Sequence, residues 1–201
     1  MNVIDAIRKR RTIRLFREEV LIPRKVLFEL VNAARLAPSA LNKQPFEYII
    51  IDDPEQKQNL FSFLKFGSYV YPRRHPEPGK RPSAYIAVVR IKERSLDPWW
   101  MMDAGFAVEN MLLLATEKGL GGVFDVVFSG DVSSLLKIPE GAELVGVVAL
   151  GVPLEEPVLE ENSVECRYYL DDNDVLHVPK RPLDDVVHLQ FYGNKALKKQ
   201  K

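Results

Sequence analysis

The sequence is poor in the residues that most often carry out hydrolysis or bind metals. It has a single cysteine, Cys166, which excludes an internal disulfide. Its three histidines, His75, His177 and His188, are scattered and belong to no catalytic motif, and it contains no Gly-x-Ser-x-Gly motif. No apolar run resembles a signal peptide or approaches the ~20 residues that span a bilayer. We therefore expect a cytoplasmic protein with no metal site and no membrane partner.

Net charge is also absent. Lys plus Arg and Asp plus Glu each number 28, so no overall field favours nucleic acid as a partner. The length of 201 residues, with 46% hydrophobic and 28% charged residues, is typical of one globular domain. We predict a single domain over residues 1–201, with a disordered basic tail at 192–201.

Basic residues are instead concentrated near the start of the chain, where the first 25 residues carry eight basic and three acidic side chains. Arg10, Arg11 and Arg14 place three guanidinium groups within five residues, beside Thr12. Arginine suits phosphate because its planar fork donates two charge-assisted hydrogen bonds and keeps its proton. Residues 37–46, Ala-Pro-Ser-Ala-Leu-Asn-Lys-Gln-Pro-Phe, add a loop of small and amide side chains. The two segments favour a nucleotide-like cofactor.

Hydrophobic periodicity and turn residues predict a loose alternation of helices and strands. Helices are predicted at 2–9, 23–37, from 54 onwards, 99–118 and 131–137, and strands at 46–51, 85–91, 122–128 and 144–152. Asp53 and Asp97, each followed by proline, are predicted helix N-caps. The stretch 71–82, with four prolines and five basic residues counting His75, is predicted to be an exposed loop. No periodicity follows Pro157.

With these elements placed, the sequence resembles the nitroreductase family of FMN-dependent oxidoreductases. Five pieces occur in the family's order: Arg-Arg-Thr-Ile-Arg at 10–14, the loop at 37–46, Asp-Ala-Gly through Asn-Met-Leu-Leu at 103–113, Gly-Leu-Gly at 119–121 and Lys-Arg-Pro at 180–182. The resemblance implies an α+β fold with a mixed sheet of about four to five strands flanked by helices. It also implies an intertwined homodimer with FMN at the subunit interface.

The resemblance implies a set of cofactor-binding residues. These are Arg10, Arg11, Thr12, Arg14, Pro38, Ser39, Ala40, Asn42, Val126, Val127, Lys180 and Arg181. The first three match positions that contact the FMN phosphate, ribityl chain and ring edge, and the last two belong to the C-terminal segment that closes on the phosphate. The loop residues 38–42 are expected from the other subunit. Many relatives carry tryptophan and glycine in the stretch 124–127, where this chain has Phe124 and Val127.

Arg14 is the implied catalytic residue. It matches a cation near the pyrimidine end of the flavin, where the reduced ring holds negative charge, so it raises the ring's affinity for electrons. A preorganised donor of this kind contributes roughly 3–4 kcal/mol in enzymes generally. The protein otherwise positions and tunes the cofactor, which performs the redox chemistry.

The implied function is ping-pong oxidoreduction, in which NAD(P)H reduces FMN and a nitroaromatic, quinone or similar acceptor is then reduced. Two alternatives stay open. One is a flavin-binding or flavin-sensing module that does not turn over. The other is a diverged flavin reaction such as reductive dehalogenation, enoate reduction or flavin fragmentation with oxygen, because kinship of fold does not choose among reactions. We expect residues 66–71 and the stretch 71–82 to shape the acceptor pocket.

Overall fold

The computed structural model describes residues 1–126, 128–162 and 164–195. The chain divides into two compact units, Met1–Glu155 and Glu156–Lys201. Val127 and residues 196–201, two parts of the sequence-based predictions, lie outside the described residues. Within the described ranges, no helix is long and apolar enough to cross a membrane, and no cluster of three or more His, Cys, Asp or Glu side chains could hold a metal ion.

The first unit contains the helices and strands that the sequence predicts, with small shifts at their ends. Its helices are α1 (Val3–Lys9), α2 (Arg24–Arg35), α3 (Pro54–Phe61), α4 (Trp100–Glu117) and α5 (Val132–Leu135). Its strands are β1 (Phe46–Ile51), β2 (Ala84–Ile91), β3 (Gly121–Asp125) and β4 (Ala142–Gly151). Short 3₁₀ turns occupy Ala40–Asn42, Ser68–Val70 and Lys92–Arg94. The Asp53 side chain accepts from the N–H of Gln56 at 3.0 Å and caps α3 as predicted.

The four strands form one sheet in the order β1-β2-β4-β3, with every neighbouring pair antiparallel. Side chains alternate between the two faces of a strand, so β2 and β4 supply two cores. Ile86 and Val148 belong to the core beneath α2 and α4, whereas Ala87 and Val147 belong to the core beneath α3. Both faces of the central strands are therefore covered.

Helix α4 lies at the centre of the first unit. Eight of its residues are buried, as its apolar sequence predicts, and it ends before Gly119, whose φ of +77° suits glycine. The predicted N-cap at Asp97 is wrong. The Asp97 carboxylate instead accepts a hydrogen bond from Arg90 Nη2 at 2.8 Å, and the helix starts at Trp100 without a side-chain cap. A charged partner on β2 competes successfully for this carboxylate.

The second unit contains a small mixed sheet that the sequence analysis missed. Its elements are β5 (Val158–Glu161), β6 (Tyr169–Leu170), β7 (Leu176–Lys180) and the short helix α6 (Leu183–Val186). The order is β5-β7-β6, with β5 parallel and β6 antiparallel to β7. Towards the end of the described chain, Leu189 N–H donates to Asn194 O at 2.7 Å and His188 forms a bridge with Lys195. Asn194 and Lys195 are thus tied to the preceding segment by main-chain contacts.

Candidate functional site

The arginine cluster follows directly on α1. Asn2 caps the helix by accepting from the N–H of Asp5 at 2.9 Å, and the helix ends at Lys9, so Arg10 is the C-cap residue. Arg10 Nε lies 2.8 Å from Oε1 of Glu109 on α4. This half-exposed carboxylate fixes the position of the Arg10 guanidinium relative to the central helix.

Arg11 is held close to the same place. Its Nη2 donates to the carbonyl oxygens of Arg8, at 2.8 Å, and Ile7, at 3.4 Å. Its Nε is buried and has no hydrogen-bond partner among the described residues. Burial lowers the pKa of Arg11, and the charge of Arg10 lowers it further, while Glu109 raises it. Two guanidinium groups are thus held near each other, and Glu109 is a carboxylate that interacts with both.

The backbone from Thr12 to Arg14 runs beside the start of β3. Thr12 forms a parallel bridge with Gly122, and Ile13 N–H donates to Gly122 O at 3.0 Å. A Cβ on Gly121 would lie 2.6 Å from Ile13 Cγ1, so only glycine lets the two segments approach so closely. The Gly-Leu-Gly motif therefore acts in the fold by seating the arginine segment on the sheet.

The main chain of Arg14 is held by a residue that the sequence analysis did not identify. Glu155, which follows β4, accepts from the N–H of Arg14 at 2.5 Å and of Leu15 at 3.2 Å through Oε1. Its Oε2 accepts from Arg74 Nε at 2.8 Å. A carboxylate far along the chain gives no periodic or motif signal, so only the folded structure reveals this contact.

The predicted loop within residues 37–46 is held by several hydrogen bonds. Ala40 N–H donates to the buried carboxylate of Asp103 on α4 at 3.0 Å, and Gln44 N–H donates to Ser39 Oγ at 2.9 Å. Leu41, Asn42 and Gln44 adopt positive φ angles of 50°, 53° and 49°. Such conformations are unfavourable for residues other than glycine and persist where surrounding contacts hold them, often at functional sites.

The loop and the arginine cluster are both bound to α4, but on different sides of this helix. Asp103 and Glu109 are six residues apart on α4, which separates them by about 9 Å along the axis and about 120° around it. Within one chain, the structure therefore does not bring residues 38–42 and Arg10 to one face of α4. That the loop serves a site on another subunit stays a prediction.

Three further predicted residues belong to other segments of the chain. Val126 follows β3 and is exposed, while its neighbour Val127 lies outside the described residues. Lys180 ends β7 in the second unit, where its carbonyl accepts from Asn162 N–H at 2.8 Å, and Arg181 follows it. Their roles at a phosphate stay predictions.

Apolar side chains remain exposed on α4 and on the neighbouring α1. Met101, Met102 and Phe106 of α4 are about half exposed, and Val3, Ile4 and Ile7 of α1 are also exposed. Large exposed apolar patches are typical of surfaces that associate with other proteins.

The prediction that the stretch 71–82 is an exposed loop is wrong in part. Arg74 and Pro76 are buried, and only some of its basic residues face solvent. The basic composition suggested solvation, but Arg74 has a buried partner in Glu155.

Comparisons with known proteins identify the family. The model of the Nitroreductase family matches residues 7–152. A protein of Methanothermobacter thermautotrophicus, provisionally named NADH dehydrogenase/NAD(P)H nitroreductase, is 27% identical over 90% of this chain and 88% of its own length. A relative of the same name from Archaeoglobus fulgidus is 31% identical over 73% of this chain and 83% of its own length.

Among solved structures, a provisionally named nitroreductase from Desulfovibrio desulfuricans, in complex with FMN, is 26% identical. The superposition of the two structures has a TM-score of 0.60 and covers 78% of this chain and 88% of the Desulfovibrio chain. The chain belongs to the nitroreductase family. The predicted family, the α+β fold class and the assignment to an oxidoreductase family are therefore confirmed.

Proposed function

We propose that this protein is an FMN-dependent oxidoreductase that takes electrons from NAD(P)H and passes them to a small-molecule acceptor. The observation that carries the proposal is the buried Nε of Arg11, which has no hydrogen-bond partner among the described residues and lies beside Arg10 in a nitroreductase-family chain. A phosphate oxygen would accept from this donor and would relieve the repulsion between the two guanidinium groups. The arginine cluster therefore fits FMN.

Different residues of the chain contact different parts of the cofactor. Arg10 and Arg11 hold the phosphate, and Thr12 contacts the ribityl side. Arg14 places a cation at the pyrimidine end of the ring, on a main chain that Glu155 fixes. FMN, when bound, supplies the ring that accepts a hydride from NAD(P)H and returns the electrons to an acceptor such as a nitroaromatic compound or a quinone in a second half-reaction.

A homodimer completes the proposed site. The exposed apolar surface of α1 and α4 supports association with a second copy, because it would otherwise remain in water. In that dimer the loop residues Pro38, Ser39, Ala40 and Asn42 of the partner would approach the ring, with Lys180 and Arg181 near the phosphate. The strained loop geometry supports a role in binding, since Asp103 and Ser39 fix it before any ligand arrives.

The absorption spectrum of the freshly purified protein tests the proposal first. Visible flavin bands, or their appearance on reconstitution with FMN, are expected, and a colourless protein that does not take up FMN would overturn it. Anaerobic titration with NADH and with NADPH should then bleach these bands. Steady-state oxidation of NAD(P)H with a quinone separates an enzyme from a flavin-binding module, which would be yellow but would not turn over.

A further inference from the structure

The carboxylate of Glu155 connects two segments that are far apart in sequence. Oε1 receives the backbone N–H groups of Arg14 and Leu15, at 2.5 and 3.2 Å, and Oε2 receives Arg74 Nε at 2.8 Å. The side chains of Arg74 and Glu155 are 2% and 6% exposed. Charge-assisted hydrogen bonds are strongest in such a dry environment, and each oxygen has a donor.

The guanidinium of Arg74 is itself fixed by the turn that carries it. Arg74 N–H donates to Val70 O at 3.2 Å, and Nη1 donates to the carbonyl of Arg73 at 3.2 Å. Gly67, at φ +89°, lets the chain fold against Arg74, since a Cβ there would lie 3.1 Å from Arg74 Cβ. Segment 67–75 is thus held in place around the buried guanidinium of Arg74.

Because Arg74 and Glu155 are buried, each depends on the other to compensate its charge. A buried ion pair is weak as a source of stability, but removal of one partner leaves an uncompensated buried charge. If Arg74 moves away, the Glu155 carboxylate is drawn towards water, and the Arg14 and Leu15 amides lose their acceptor. A displacement in segment 67–75 is therefore transmitted to the main chain of Arg14.

We propose that Glu155 and Arg74 are positioning residues that hold Arg14 in place at the cofactor and couple segment 67–75 to it. This inference rests on the proposed function, because Arg14 is the cation at the pyrimidine end of FMN. A ligand that shifts segment 67–75 would then alter the electron affinity of the flavin without touching the ring. The ion pair between Arg74 and Glu155 thus connects segment 67–75, on the predicted acceptor side of the site, to the flavin.

The test compares three variants, Glu155→Gln, Arg74→Met and Arg14→Met, with Arg90→Met as control. Arg90, on β2, is also a largely buried arginine and forms ion pairs with Asp97 and Glu143. It lies opposite Glu143, which is eight residues, or about 26 Å, along β4 from Gly151. Each variant is assayed for thermal unfolding, for the midpoint potential of bound FMN, and for amide exchange at Arg14 and Leu15 in flavin-free protein.

We expect Arg14→Met to make the midpoint potential of bound FMN more negative. Arg74→Met and Glu155→Gln should shift this potential in the same direction, each by at least half of the shift that Arg14→Met produces. Exchange at the Arg14 and Leu15 amides should rise at least tenfold in both. Arg90→Met should lower the melting temperature and leave the potential and this exchange unchanged.

A purely structural role would give a different pattern. If Arg74→Met lowers the melting temperature while the potential and the exchange at residues 14–15 stay at wild-type values, the inference is overturned. If the wild-type protein takes up no FMN, the proposed function fails separately, and the exchange measurement alone decides whether Arg74 and Glu155 hold the Arg14 main chain.

Discussion

Arg10 Nε and Glu109 Oε1 lie 2.8 Å apart, so the first guanidinium of the arginine cluster is paired with a carboxylate of the central helix. In the proposed complex the FMN phosphate competes with this carboxylate for Arg10. The pair is partly exposed to solvent, and ion pairs of this kind contribute about 0.2–1 kcal/mol. Glu109 thus orients Arg10 at a small cost to anion binding.

Glu109→Gln should therefore tighten FMN binding, by up to about fivefold, because the neutral amide no longer competes for Arg10. Titration of the flavin-free protein with FMN, followed by flavin fluorescence, measures the effect. Riboflavin, which lacks the phosphate, is the control ligand and should bind equally well to both proteins. Weaker FMN binding by the variant would mean that orientation by Glu109 outweighs the competition.

Arg11→Met should weaken FMN binding by about 10- to 100-fold, because a charge-assisted hydrogen bond contributes about 1.5–3 kcal/mol. Riboflavin binding should change little. Arg8→Met is the matched control, since Arg8 is an exposed arginine one turn earlier on α1. An equal loss of affinity in the two variants would point to general attraction by positive charge and against a direct contact of Arg11 with the phosphate.

The predictable parts of this fold are those with local signals. The strand at Phe46–Ile51 and the helix after Pro54 follow from apolar runs and capping residues, and the structure has both. The sheet of the second unit was missed because its strands are short and two of them, β5 and β6, are largely exposed, which leaves no periodicity to detect. Asp97 carries a capping signal, but Arg90 is brought to it only by the fold.

The residues of the candidate site are also of two kinds, those with a local sequence signal and those without one. Arg10, Arg11 and the loop at 38–45 are recognisable because their residues are adjacent in sequence. Glu155 is not, because its contacts with Arg14 and Arg74 span 141 and 81 residues. A buried role for Arg74 also contradicts its composition-based interpretation as a solvated charge, since its partner is invisible in the local sequence.

Asp103→Ala should weaken the structure of the loop at 38–45. The variant leaves the Ala40 N–H without its acceptor, which costs about 1–3 kcal/mol if the group stays buried. We expect lower stability in thermal unfolding and weaker FMN binding. Asp103→Asn keeps a carbonyl oxygen at the same place and should recover most of both properties. If the alanine variant binds FMN as tightly as the wild type, the loop is not part of the cofactor site.

Phe106→Glu tests the proposed association of two chains. Phe106 is about half exposed on the apolar face of α4, where a charge would be desolvated on pairing. The variant should be a monomer by light scattering and should lose flavin. Glu117→Arg, a charge change at an exposed position of the same helix, should leave the dimer intact. A wild-type protein that is monomeric at all concentrations would contradict the proposal directly.

We expect His177 to make the stability of the second unit depend on pH. Its Nδ1 lies 2.5 Å from Glu160 Oε1, its Nε2 lies 3.3 Å from Asp171 Oδ2, and Tyr169 stacks on the ring at 4.9 Å. The hydrogen bond with Glu160 raises the pKa of His177 above its usual value, with Asp171 adding to this and partial burial opposing it. The protonated ring therefore stabilises the folded unit.

Because the folded-state pKa is the higher one, this stabilisation is fully present below the unfolded pKa of about 6.5 and is lost as the pH rises through the folded value. Amide exchange in β5 and β7, corrected for its intrinsic pH dependence, should show stronger protection at pH 5.5 than at pH 8.5. His177→Gln should abolish the difference, whereas His188→Gln should retain it. Equal protection of the wild-type strands at both pH values would show that the ion pairs of His177 contribute nothing to this unit.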